Sequence, residues 1–89
     1  VVEFEFNPGG FPREGAIFLW LQGEPGGKAR VSVNGSRLTT ISVSRDLIAP
    51  GGEEKIIIPR NVLVRGINRL RIEAEPGRNI RLQKVVIAF

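Results

Sequence analysis

The sequence predicts an all-β protein: a two-sheet antiparallel β-sandwich with jelly-roll topology and seven to eight strands. Three observations lead to this fold class. Apolar and polar residues alternate along most of the 89 residues, which is the period of a half-buried strand. No apolar period of 3.6 residues persists over ten residues. The 11 glycines and 6 prolines separate the alternating runs at short intervals, as in sandwiches and jelly rolls. We expect a single domain over residues 1–89.

The first three predicted strands differ in the number of faces that they bury. Val2–Phe6 alternates cleanly, so its apolar residues should face the core and its two glutamates the solvent. The run 16–22 is apolar on both faces, which is typical of a central strand covered on both sides. Lys28–Val33 alternates again, with its apolar residues expected inward.

Asn34-Gly35 is the strongest turn signal in the chain. It predicts a two-residue type I′ hairpin, because both central residues of that turn need positive φ. The returning strand should cover about residues 36–44, and 46–54 should form a long loop.

The second half of the chain predicts three further strands, over 55–58, 67–74 and 80–89. The apolar phase of the last strand changes near Gln83 and Lys84. A β-bulge there would keep both of its apolar sets inside. The residues expected to form one core are Phe4, Phe6, Val31, Val33, Leu70, Ile72, Leu82 and Ile87.

Missing residue types restrict the chemistry of the chain. It contains no Cys, which excludes disulfides and thiolate metal sites, and no His, the commonest general base and transition-metal ligand. Met and Tyr are absent as well, and four missing types make a designed or reconstructed sequence an alternative origin. The chain shows no secretory leader and no apolar run of about 20 residues, so we expect a mature or excised segment without a membrane span.

Metal, cofactor and catalytic sites are not expected. The candidate acidic ligands are limited to Asp46, Glu53 and Glu54, whereas calcium requires six or more oxygens. Nothing in the sequence marks a pair of glutamates as the buried pair of a glycosidase. The glycine-rich stretches lack the Gly-Lys-Ser/Thr ending of a phosphate loop. We therefore expect no enzyme activity.

Three segments, taken in order, resemble the galactose-binding-like jelly rolls that accompany many glycoside hydrolases and polysaccharide lyases. Residues 29–35 are similar to their strand followed by Asn-Gly, residues 56–72 to their apolar strand, Leu and Gly-x-Asn before a further strand, and residues 80–87 to their closing strand. The resemblance implies a non-catalytic carbohydrate-binding or accessory module, extracellular if natural. The chain is shorter than a typical member and lacks obvious acidic calcium ligands. Asn68 matches the Gly-x-Asn position, where its amide is expected to satisfy turn backbone groups.

Trp20 is the only tryptophan and allows two interpretations. Burial in the core together with Phe18 is favoured, because an exposed aromatic pair would leave an apolar patch on a small domain. The alternative is a surface ring on which a sugar stacks its apolar face.

The alternation of residues along their strands predicts that four arginines point outward. Together with Trp20, these arginines are candidate contacts to a carbohydrate. If their strands are neighbours they form a basic stripe, and guanidinium groups recognise carboxylates bidentately, which suits an acidic polysaccharide. The favoured interpretation is cross-strand pairing with Glu3, Glu5, Glu73 and Glu75. The arginines are Arg30, Arg69, Arg71 and Arg81.

Two other functions stay open beside carbohydrate binding. One is a structural or engineered β-sandwich scaffold without a ligand. The other is a basic nucleic-acid-binding β-barrel, since the net charge is +4. Such a barrel needs surface aromatics interleaved with basic residues, and most aromatics here are expected inward, so nucleic acid is the weaker hypothesis.

Overall fold

A computed structural model of the chain describes residues 1–23, 27–42, 53–76 and 80–89. These residues contain seven strands and one short 3-10 turn, while most of the predicted 46–54 loop lies outside them. The strands are β1 (Val2–Phe6), β2 (Gly15–Gly23), β3 (Lys28–Val33), β4 (Ser36–Ser42), β5 (Glu53–Ile58), β6 (Asn68–Ala74) and β7 (Ile80–Ala88), and the turn is η1 (Arg60–Val62).

The strands form two antiparallel sheets, one of four strands in the order β1-β6-β3-β4 and one of three in the order β5-β2-β7. The all-β class and the two antiparallel sheets are confirmed. Of the six connections between successive strands, five cross from one sheet to the other, and only β3–β4 stays within a sheet. Neighbours in a sheet are therefore mostly distant in sequence.

The Asn34-Gly35 turn is confirmed as a two-residue hairpin loop. Val33 and Ser36 pair directly, and the φ angles are 51° at Asn34 and 82° at Gly35. Positive φ at both central residues is the requirement of a type I′ turn, whose twist matches that of the flanking strands.

Replacing Gly35 with valine is expected to lower the free energy of unfolding by about 1–2 kcal/mol, because a β-branched residue resists the left-handed region. The described residues leave open space where the added Cβ would lie, so the cost comes from the backbone alone. Gly35→Asn is the matched control, since asparagine tolerates this conformation. Urea denaturation measures both, and equal stability of the valine variant and the parent would contradict the turn.

Apolar residues from both sheets form one hydrophobic cluster. Four of the eight expected core residues are buried in it, and Phe6, Leu82 and Ile87 are partly buried against it. Phe4 was expected in the core, and this prediction is wrong, because Phe4 is 37% exposed. It pairs with buried Leu70, but β1 is an edge strand of the wider sheet. The buried residues of the cluster are Ile17, Leu19, Ala29, Val31, Val33, Ile41, Ile56, Ile58, Leu63, Leu70 and Ile72.

The predicted β-bulge in the last strand is confirmed. Trp20 pairs with Lys84 and Leu21 with Leu82, so Gln83 is the extra residue on β7. The inserted residue changes which alternate positions of β7 point toward the core. Leu82 and Val85 consequently both pack against the core.

Asn68 has the structural role that was expected of it. It is 1% exposed, and its Nδ2 donates to the carbonyl oxygens of Val64 at 2.9 Å and Gly66 at 3.1 Å. Its Oδ1 accepts from the Val64 N–H at 2.8 Å. The amide thus holds the turn before β6, where Gly66 has a φ of 94°.

The same amide connects this turn to the β3–β4 hairpin. Asn34 Nδ2 donates to Asn68 Oδ1 at 2.8 Å and to the Val62 carbonyl at 2.9 Å. Asn34 Oδ1 accepts from the Arg69 N–H at 2.9 Å. One end of the four-stranded sheet is therefore organised by two asparagines.

Candidate functional site

Trp20 lies on the outer face of the three-stranded sheet, so its expected burial in the core is wrong. Ile17 and Leu19 point inward and are fully buried, and Phe18 and Trp20 alternate with them on β2. Both aromatic residues are half-buried. The strand is apolar on both faces, as predicted, but only one of its faces contributes to the hydrophobic core.

Basic side chains from the two neighbouring strands lie over these rings. Lys84 on β7 is paired with Trp20, and its Nζ is 5.0 Å from the centre of the indole. Lys55 on β5 is paired with Phe18, with its Nζ 6.0 Å from the ring centre. Ammonium groups at this distance are attracted to the negative faces of the rings.

Polar groups continue the outer face beyond Trp20. Gln83 Nε2 donates to Gln22 Oε1 at 2.8 Å, and Arg81 pairs with Gln22 in the register. All three residues are exposed. Each amide retains hydrogen-bonding groups beyond this one bond, because an amide offers two donors and two acceptor lone pairs.

Apolar groups occupy the opposite end of the same face. Ile57 is 47% and Val86 38% exposed, and they flank Ala16 and Phe18 in the register. The outer face thus runs from an aliphatic end through two aromatic rings to a polar, basic end. We call the polar half the Trp20 face; it comprises Phe18, Trp20, Gln22, Lys55, Arg81, Gln83 and Lys84.

Three of the four candidate arginines lie together on the outer face of the four-stranded sheet, and each is close to a glutamate. Arg69 Nη2 is 3.3 Å from Glu5 Oε1, and Arg71 Nη1 is 3.9 Å from Glu3. The favoured interpretation, cross-strand pairing, is confirmed for these two. It holds for Arg30 as well, whose Nη2 is 3.9 Å from Glu73.

Glu73 joins two of these arginines, because it also lies 3.8 Å from Arg71. Only the Arg69–Glu5 contact is a hydrogen bond, and such exposed pairs contribute about 0–1 kcal/mol each. The Nε of Arg30 is buried and has no acceptor among the described residues, so Arg30 is the least well satisfied of the three.

We call the outer face of the four-stranded sheet, with Arg30, Arg69, Arg71 and their partners Glu3, Glu5 and Glu73, the Arg/Glu face. A depression of about 570 Å³ lies on this face. Acidic and basic groups are mixed in its wall, so its character is zwitterionic. The charged and polar residues that line it are Glu3, Ser32, Asn34, Asn68, Arg69, Arg71 and Glu73.

Arg81 lies on β7 in the other sheet, away from the other three arginines. A stripe of all four arginines therefore does not form. The five candidate residues divide into Trp20 with Arg81 on one sheet, and Arg30, Arg69 and Arg71 on the other. Parity along a strand separates inward from outward, but it does not say to which sheet a strand belongs. For the same reason sequence reasoning missed Lys55, Lys84 and the two glutamines around Trp20.

Within residues 1–23, 27–42, 53–76 and 80–89, no cluster of three or more Asp and Glu residues is arranged to hold a metal ion. Asp46 lies outside these ranges. Glu54, a further candidate ligand, is exposed on β5. No helix in the described part of the chain has the length and apolarity needed to cross a bilayer.

Comparison with models of protein families, with curated proteins and with solved structures finds no match to this chain. The functional argument therefore rests on the residues and geometry above.

Proposed function

We propose that the chain is a non-catalytic carbohydrate-binding module on a jelly-roll β-sandwich, and that the Trp20 face binds an acidic oligosaccharide. The observation that carries the proposal is the position of Trp20, which lies on an outer sheet face beside Lys84 instead of in the core.

The arrangement of the strands supports the sandwich. Buried residues of both sheets contribute to a single cluster, and five of six connections cross between the sheets. The smallest Cα extent is 16 Å, which suits two layers packed about 10 Å apart. Crossing connections of this kind are typical of double-sheet jelly rolls.

The groups on the Trp20 face match the parts of an acidic sugar. An indole presents an apolar, electron-rich face to the C–H groups of a pyranose ring. Gln22 and Gln83 offer amide donors and acceptors to hydroxyl groups. Lys84 and Arg81 supply cations for a carboxylate, and charge-assisted hydrogen bonds of this type are about twice as strong as neutral ones.

The Arg/Glu face is less suited to an acidic ligand. Its three arginines are matched by three glutamates, Glu3, Glu5 and Glu73, at 3.3–3.9 Å. A carboxylate arriving there must displace these partners. On the Trp20 face, Lys55, Lys84 and Arg81 take part in none of the ion pairs found among the described residues.

The same distribution of charge favours binding over hydrolysis. Glycosidases use two carboxyl groups about 5–10 Å apart across the scissile bond. The charged side chains described on the Trp20 face, those of Lys55, Lys84 and Arg81, are basic, while Glu53 pairs with Trp20 in the register and its side chain lies outside the described part of the chain. These three basic groups are able to hold an acidic sugar, and none of the three is the carboxyl acid or nucleophile that glycoside hydrolysis uses.

Replacing Trp20 with alanine is expected to weaken binding of a uronic-acid oligosaccharide at least tenfold, because the stacking surface is lost. Isothermal titration calorimetry of the intact chain measures this, with a neutral oligosaccharide of equal length for comparison. Phe11→Ala is the matched control, since Phe11 is an aromatic residue 76% exposed outside the strands. Far-UV circular dichroism checks that each variant is folded.

The titration has three contrary outcomes. Loss of binding in Arg71→Ala with parental binding in Trp20→Ala would move the site to the Arg/Glu face and overturn this assignment. If no heat of binding is measured at millimolar sugar, the hypothesis of an unliganded scaffold would be favoured over that of a carbohydrate-binding module. Binding to single-stranded nucleic acid with a steep salt dependence, and none to sugar, would favour the nucleic-acid hypothesis.

A further inference from the structure

Two strand edges on one side of the molecule have no backbone partner among the described residues. β1 pairs with β6 alone, and β7 pairs with β2 alone. Such edges present unpaired N–H and C=O groups, which are a template for pairing with another chain.

An apolar groove of about 510 Å³ lies between these two edges. Phe4 from β1 and Leu82, Val85 and Ile87 from β7 supply its apolar lining. Phe4 is 37% exposed although it pairs with buried Leu70. The groove is thus a part of the core-facing surface that the described residues leave open.

Two aromatic rings join the end of β1 to the end of the chain. The rings of Phe6 and Phe89 lie 5.9 Å apart at an interplanar angle of 24°. The residues at the end of β1 and just after β7 therefore meet, while Val2 at the start of β1 is 40% exposed.

The two free edges carry opposite charges. β1 contains Glu3 and Glu5 and no basic residue, whereas β7 contains Arg81 and Lys84 and no acidic residue. Two β7 edges would repel each other when brought together, whereas a β1 edge adds no basic residue, and its two glutamates, which also lie 3.9 and 3.3 Å from Arg71 and Arg69, are the groups that would attract a β7 edge.

We propose that this side of the molecule binds a second copy of the chain, with β1 of each copy placed against β7 of the other. A two-fold axis makes both contacts at once, so the assembly closes as a dimer. The alternating apolar and acidic residues of β1 suit this occupant, because Phe4 of each copy helps to cover the groove while the glutamates approach the basic strand. The groove is also lined by Gln83 and Lys84 of the Trp20 face, so the dimer contact and the proposed sugar site share these two residues.

Sedimentation velocity from about 10 μM to 1 mM tests the association. We expect a concentration-dependent dimer that weakens as salt screens the charged edges. Phe4→Lys should raise its dissociation constant at least tenfold, because an inward-pointing charge on an edge strand blocks pairing. Phe11→Lys introduces the same residue on an exposed loop and should associate as the parent does.

Hydrogen–deuterium exchange of the parent at the two extreme concentrations locates the contact without a variant. Peptides covering β1 and β7 should both gain protection at the higher concentration. β4 and β5, the other two edge strands, should exchange unchanged. Sedimentation as a monomer throughout, or protection on β4 and β5 instead, would overturn the proposal. Parental association of Phe4→Lys would do so as well.

Discussion

Replacing Ile72 with alanine is expected to lower the free energy of unfolding by about 2–5 kcal/mol, the range for removing a large aliphatic side chain from a core. Ile72 is 5% exposed on β6. It lies between Val31 on β3 and Val2 on β1 in the register. The lost methyl groups remove buried contacts, and rigid neighbouring strands close the resulting cavity only in part.

Chemical denaturation followed by tryptophan fluorescence measures the effect of Ile72→Ala. Ile67→Ala is the matched control, because Ile67 is 60% exposed immediately before the same strand and should change stability by under ~0.5 kcal/mol. A loss below 1 kcal/mol for Ile72→Ala would mean that β6 is out of register. In a domain of this size, a loss at the upper end of the expected range removes most of the stability.

Replacing Asn68 with alanine is expected to cost about 2–4 kcal/mol, because it leaves several turn groups without partners in a buried site. The Val64 N–H and carbonyl, the Gly66 carbonyl and the Asn34 amide all bond to this side chain. Asn68→Asp keeps the shape but loses both donated bonds, so it should also destabilise. The aspartate variant separates hydrogen bonding from the filling of space.

Asn61→Ala is the matched control for Asn68, since Asn61 is exposed in η1. Thermal and urea unfolding of the three variants give the comparison. The double variant Asn34→Ala/Asn68→Ala should cost less than the sum of the two single changes, because the asparagines share one network. Additive losses, or an Asn68→Ala variant as stable as the Asn61 control, would contradict the role assigned to this amide.

Strands, turns and the bulge of this protein are local features and could be predicted from the sequence. The alternation in β1, β3 and β6 determines which of their residues share a face, and the Asn34-Gly35 pair determines its turn through the φ angles that it tolerates. The change of phase around Gln83 similarly required a bulge. None of these inferences depended on knowing which strands are neighbours.

The burial of Trp20 and Phe4 and the sheet to which Arg81 belongs could not be predicted from the alternation of residues along a strand alone. Trp20 follows the apolar pattern of β2, but burial requires a second layer over that face, and the core lies on the other side. Phe4 has the correct phase, but an edge position leaves it partly exposed. Arg81 points outward as expected, but from the other sheet.

The sequence by itself determined the all-β class, the hairpin, the bulge and part of the core, because these follow from residue periodicity and backbone preference over a few neighbouring positions. The tertiary structure alone decided which strands pair, and therefore which side chains form a surface together. Five of six connections cross between the sheets, so adjacent residues of the Trp20 face come from strands distant in sequence. Long-range pairing of this kind is set by the packing of whole faces against one another, and no local pattern records it.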